Sequence, residues 1–253
     1  MTPPPAVSSG FGLRQRVTRR LLDLLYPRIC PWCRIALTAA DSSFACRRCA
    51  QRVVRIAPPF CLVCGAPVEA GEASRVCAAC EKMRPAYDRL RGVVVYDPAV
   101  AAAIKSFKYQ RDVTLARAMA RVLHGVSGSG LRWNDYDAII PVPLHPVRLR
   151  ERRFNQALLL LRELPDSRSL PIRPDLLQRV RHTTPQAELS AKERRENVKG
   201  AFAVTPETSL TDLRVLLVDD VASTGSTLHE CAKVCKQAGA AAVDAAVVAR
   251  AAV

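Results

Sequence analysis

Two adjacent carboxylates, Asp219 and Asp220, follow an unbroken apolar run at 215–218, and Ser223, Thr224, Gly225, Ser226 and Thr227 come directly after them. Such a run is what a central strand covered on both faces requires, and its carboxyl end is where open α/β sheets take ligands. An amphipathic run over 228–238, stopped by Gly239, reads as a helix, so VLLVDDVASTGST at 215–227 spells strand, tight loop, helix. A helix start presents unpaired N–H groups and about half a positive charge, and a glycine lets backbone approach a ligand closely. The loop therefore suits a phosphate. Carboxylates repel phosphate, so the acidic pair calls for ribose hydroxyls or hydrated magnesium, and a ribose 5-phosphate satisfies both halves. An ordinary strand-to-helix turn needs neither paired acids nor this density of hydroxyls.

The second chemical pattern is a tandem repeat of cysteines. Cys30, Cys33, Cys46 and Cys49 recur 31 residues later as Cys61, Cys64, Cys77 and Cys80, each half holding two CxxC knuckles 12 residues apart. That spacing brings four sulfurs around one tetrahedral ion, which predicts two structural zinc ions, one per half, although spacing alone also permits knuckles paired across the halves. Disulfides would need an oxidising compartment, and no export signal is legible. Four matched pairs resemble ligands rather than one redox-active dithiol. Apolar residues are sparse over 30–80, so the metal is expected to substitute for a core too small to fold alone. Cys231 and Cys235, one helical turn apart, are expected to be core.

The elements that must position these groups follow from the apolar pattern. A β-rich run over 92–96 and an alanine-rich helix opened by Pro98 begin a new unit after Pro85. Lys105 and Lys108 share a face of that helix and suit either an anion or solvent. Residues 125–130, GVSGSG, read as a flexible loop, 136–141 as a second buried strand and 243–248 as the last. After the second strand, PVPLHPVRLRERRFNQ sets a proline-rigid turn before a basic helix, a place for pyrophosphate beside Arg148, Arg152 and Arg153. Residues 181–202 carry Arg181, His182, Gln186, Arg195 and Asn197 without a buried pattern and are expected to form a loop closing over the site.

The formal net charge of the 253 residues is +15, a bias towards polyanionic partners that eight thiolates on two zinc ions would reduce to about +11. The proline- and serine-rich residues 1–12 read as a disordered lead. Leu13, Val17, Leu21, Leu24 and Leu25 form a helical stripe over 13–26 that fits either packing on the zinc module or peripheral membrane contact. No apolar run is long enough to span a bilayer, and a cytoplasmic location is expected.

The 215–227 string closely resembles the phosphoribosyl pyrophosphate (PRPP) motif of type I phosphoribosyltransferases. Together with PVPLHPVRLRERRFNQ, RHTTPQAELSAKERRENVKGAF and the cysteine knuckles, it resembles the ComF family of competence-associated proteins from about Leu21 onwards. The resemblance implies an α/β fold with a type I phosphoribosyltransferase-like parallel sheet over 85–253, behind a helix and double zinc-ribbon module over 13–84. It further implies PRPP with magnesium as ligand, the ribose held by Asp219 and Asp220, the 5-phosphate by 223–227, and the pyrophosphate by the region of Arg148 and Arg153. A role in uptake of single-stranded DNA, with DNA and a competence helicase-like protein as partners, is the expected cellular context, and transfer to an unidentified acceptor is the alternative. Purine enzymes usually carry a carboxylate where this chain has Ser223, which argues against a purine acceptor.

Overall fold

The computed structural model describes residues 28–251 except 39–40, 42–44, 69–72, 110–112, 166, 185–189 and 207. The expected lead and the amphipathic helix over 13–26 lie outside the described residues, as does Gln186. Two cysteine-bearing turns lead into the short helices α1 (Arg47–Ala50) and α2 (Ala78–Lys82). Then come β1 (Arg89–Val95), α3 (Pro98–Tyr109), α4 (Val113–His124), β2 (Ala138–Pro141), α5 (Pro146–Arg152) and α6 (Gln156–Arg162). The chain continues through β3 (Leu177–Arg179), α7 (Ala191–Val198), β4 (Phe202–Val204), β5 (Arg214–Ala222), α8 (Ser226–Gln237) and β6 (Ala242–Arg250).

The apolar runs pair into one parallel sheet in the order β1-β6-β5-β2. Its centre is legible in its composition: residues 215–218 and 243–249 are buried throughout, as strands covered on both faces must be. Alternation then assigns the faces. Leu216, Val218 and Ile139 pack with Ile104 and Phe107 of α3, Leu123 of α4 and Leu160 of α6. Val215, Leu217 and Ile140 pack with Leu228 and Cys231 of α8 and with Leu177 and Phe202 of the antiparallel pair β3-β4. Cys231 and Cys235 are core, as expected.

Two expectations change. Residues 125–129 form a 3-10 turn with Val126 buried rather than a flexible loop, because Val126 anchors it beneath α4 and β1. The cysteine module is not held by metal alone. Cys30, Cys46 and Val53 belong to the core of the α3–α4 face, whereas Cys61, Val63, Cys64 and Cys80 belong to the core of the α8 face. Between them, Val54 and Ile56 hydrogen-bond β1, through Val95 N–H to Val54 O at 2.8 Å and Ile56 N–H to Val93 O at 2.9 Å. The module covers the free edge of β1, so its sparse apolar residues are completed by those of the sheet.

Candidate functional site

Each half of the repeat gathers its own four sulfurs, all ligand atoms lying within 4.8 Å of one another, so the knuckles pair within repeats and not across them. Zn–S bonds of about 2.3 Å in a tetrahedron place sulfurs about 3.8 Å apart. Cys33 Sγ and Cys46 Sγ are 3.6 Å apart, and Cys64 Sγ and Cys77 Sγ 3.8 Å, so both sets fit structural zinc. Burial alone would raise the Cys61 thiol, but N–H groups of Cys64, Cys77 and Val63 aimed at its sulfur outweigh that and bring it to about 6. The Cys64 and Cys77 N–H groups, each 3.4 Å from Cys61 Sγ, are placed to stabilise a thiolate ligand there.

The acidic pair sits in β5, near its carboxyl end, as predicted. Asp220 is 4% exposed and faces the ammonium of Lys108 at 3.2 Å. Burial penalises that ammonium, yet Asp220 and Asp219 together hold its pKa above the ordinary lysine value. Asp219 accepts the Asp220 N–H at 2.8 Å. Burial, and then the neighbouring charge of Asp220, push the Asp219 carboxyl up to about 7, against the opposing pull of Lys108 and Arg179.

The loop after the acids is shaped by Gly225, at φ 76 the left-handed N-cap of α8. Thr224 Oγ1 and Ser226 Oγ lie 2.7 Å apart, and Thr224 Oγ1 accepts the Ser226 N–H at 3.3 Å, so the hydroxyls are clustered at the helix start. Ser223 Oγ accepts from Arg194 Nη1 of α7 at 3.0 Å. Thus residues 219–227 and the segment expected to close over them are brought together.

That segment is more built than its sequence suggested. Thr183, Val198 and Ala201 are buried, and Ser190 with Glu193 forms a capping box on α7. Arg181 and Asn197 brace the segment itself, Arg181 donating to Asn197 O and Lys199 O, and Asn197 bridging Thr184 N and O. Glu230 of α8 takes the Gly200 N–H at 2.8 Å and so fastens the base of the segment. The His182 ring rests 5.1 Å from that of His145, the N-cap of α5.

The arginines of the basic helix are less convergent. Arg148 pairs with Glu151 at 2.8 Å, and Arg152 donates to Gln156. Arg153 is exposed in the left-handed conformation that ends α5, and among the described residues its guanidinium has no partner. Lys105 is exposed and apart from Lys108, which turned inward to the acids. Sequence reasoning passed over Arg179 of β3, which donates to Thr183 Oγ1 and lies over the Phe202 ring, and whose pKa burial lowers. It also passed over Arg194, one residue before the Arg195 singled out, and over Arg250. Arg250 did carry a signal, as a charge ending the otherwise apolar run AAVVAR.

The double zinc ribbon domain family matches residues 21–81 and the phosphoribosyl transferase domain family residues 165–252. Competence protein F of Haemophilus influenzae is 34% identical over 214 residues, covering 83% of this chain and 91% of that protein. DNA utilization protein YhgH of Escherichia coli K12 is 33% identical over 226 residues, covering 87% and 96%. Competence protein ComFC of Bacillus subtilis is 26% identical over 240 residues, covering 92% and 94%. With both domains matched in order and this identity sustained over nearly the whole of competence protein F, the chain belongs to the ComF family.

Proposed function

We propose that the chain binds PRPP with magnesium at residues 219–227 and acts as a cytoplasmic accessory in the uptake of single-stranded DNA. The observation that carries the ligand is the junction of β5 and α8. Paired acids, a left-handed glycine and clustered hydroxyls stand at a helix start, and Arg194 reaches the same loop from the segment above it. Asp219 and Asp220 hold the ribose diol and Ser223, Thr224, Gly225, Ser226 and Thr227 the 5-phosphate. The pyrophosphate lies towards Arg148 and Arg153, with the segment over 181–202 closing on it. Magnesium, when bound with PRPP, neutralises the phosphates. The boundary near residue 85 between ribbon module and transferase-like portion belongs to this reading.

The DNA context is supported by the names of the relatives, competence and DNA utilization, and by the net charge of +15. Arg47, Arg48 and Arg52 are exposed on the first ribbon, a basic surface suited to single-stranded DNA or to a competence helicase-like protein. Among the described residues no helix is long and apolar enough to cross a membrane, so membrane association would be peripheral. A second reading, phosphoribosyl transfer to an acceptor, is favoured by the Arg194 contact, because a closing segment excludes water from a reacting centre.

Calorimetric titration with PRPP and magnesium tests the ligand, with Asp219→Asn/Asp220→Asn as the variant expected to lose it. Silence from the wild type would end the reading. Pyrophosphate release across candidate acceptors separates binding from turnover. A DNA complex whose affinity ignores salt would rule out the basic surface as its contact.

A further inference from the structure

Arg250 ends β6 with a permanent charge only 2% exposed and, among the described residues, with no acid against it. Its hydrogen bonds go to main-chain carbonyls, and its charge also faces the Cys64 thiol and Tyr87. Its Nε donates to Cys64 O at 3.0 Å, and its Nη1 donates to Ala222 O at 3.3 Å, to Ser223 O and to Ala251 O at 2.9 Å. Room for it is made by Gly92, where a Cβ would come 2.7 Å from Arg250 Cβ. An unpaired buried charge is costly, and carbonyl dipoles alone compensate it poorly. The missing countercharge is next door, since a zinc ion with four thiolates carries a net charge of about −2, and Cys64 is a ligand of the second set.

The same side chain fixes the loop. In a planar trans peptide the C=O and the following N–H point in opposite directions. Drawing Ala222 O and Ser223 O onto Arg250 therefore turns the N–H groups of Ser223 and Thr224 away from it. Tyr87 adds a second strut: it is 3% exposed, and a Cβ on Gly225 would lie 2.9 Å from its hydroxyl. Among the described residues the first zinc set has no such connection, as Cys30 and Cys46 belong to the core on the opposite face of the sheet.

We infer that Arg250 is a positioning residue that couples the second zinc centre, and not the first, to the loop taking the ribose phosphate. The inference rests on the PRPP reading of residues 219–227. Loss of zinc from the second set removes the countercharge, frees Arg250 and loosens the loop. By reciprocity, ligand on the loop tightens the second set.

The test uses the full chain with cadmium-113 in both cysteine sets, each resonance assigned through coupling to its own cysteine β-protons, titrated with PRPP and magnesium in parallel with calorimetry. The second-set resonance is expected to move while the first stays, and chelator competition at equilibrium should show the second set holding its metal about tenfold more tightly, equivalent to ~1.4 kcal/mol. Arg250→Lys, with both resonances present, should bind PRPP about tenfold more weakly and lose the second-set response. Binding with the second resonance unmoved, equal movement of both, or wild-type affinity in Arg250→Lys each overturns the coupling. Should Arg250→Lys fail to hold two metals, the wild-type titration decides alone. Calorimetric silence removes the ligand reading and the coupling together, an outcome distinct from binding without a metal response.

Discussion

Raising the pH from 6 to 8 should strengthen PRPP binding about tenfold through Asp219. Burial and the charge of Asp220 lift this carboxyl from its ordinary 3.8 to about 7. Ribose hydroxyls and magnesium favour the ionised form, so binding must first remove the proton. At pH 6 a group with pKa about 7 is about one-tenth ionised and at pH 8 about nine-tenths, which gives the tenfold ratio, or ~1.4 kcal/mol. About half a proton per ligand should therefore be released at pH 7, measured by calorimetry in two buffers of different ionisation enthalpy. The ligand's own phosphates titrate as well, so Asp219→Asn is the reference: it keeps their contribution and lacks the carboxyl. The same shift acts on the ligand-free fold with opposite sense. A carboxyl raised in the folded state binds more protons folded than unfolded between about pH 4 and pH 7, so stability falls as pH rises through that window. Identical pH dependence in wild type and Asp219→Asn, or no proton release, would refute the argument.

Three further outcomes are expected. Gly225→Ala forces a left-handed alanine, costing about 1–2 kcal/mol, and drives its Cβ against the Tyr87 hydroxyl; calorimetry should show PRPP affinity reduced at least tenfold, with partial recovery in Gly225→Ala/Tyr87→Phe. Asp244→Ala strips the acceptor from the half-exposed Arg89 and from the buried Tyr136 hydroxyl, and urea denaturation should show a loss of about 1–2 kcal/mol. Because each cysteine set shares a core with one face of the sheet, metal analysis should find two zinc ions per chain, and their chelation should lower the unfolding temperature of the whole chain rather than release a separate module.

What the sequence makes legible is what lies close together along it. Strand, acids, glycine and helix start occupy one stretch, and local sterics with strand burial leave little choice in its form; the bounds of α8 lie within two residues of the amphipathic run, whereas β5 continues through both acids to Ala222, four residues past the apolar run. The zinc ligands were legible for the same reason, each knuckle being a three-residue step. The partners of that stretch come from far away: Lys108 from α3, Arg179 from β3 and Arg194 from α7. An arginine on a basic helix looks the same whether it faces solvent or a loop 29 residues on, and only tertiary packing separates them. Arg250 and Asp244 were the exceptions that sequence could have found. Each is a charge in a strand otherwise apolar, and a charge there must have a partner.

The position of the ribbon module accounts for the contact that Arg250 makes with both the second cysteine set and the loop after the acids. A four-stranded parallel sheet that ends at β1 leaves one strand edge and both of its core faces open. In this chain residues 54–56 take the edge, the first cysteine set closes the α3–α4 face and the second closes the α8 face. The α8 face is also the one that carries the loop after the acids, so the second set necessarily packs behind that loop. Cys64, Arg250 and Ser223 meet there because covering the edge of the sheet and backing its ligand loop are met by the same turn of chain.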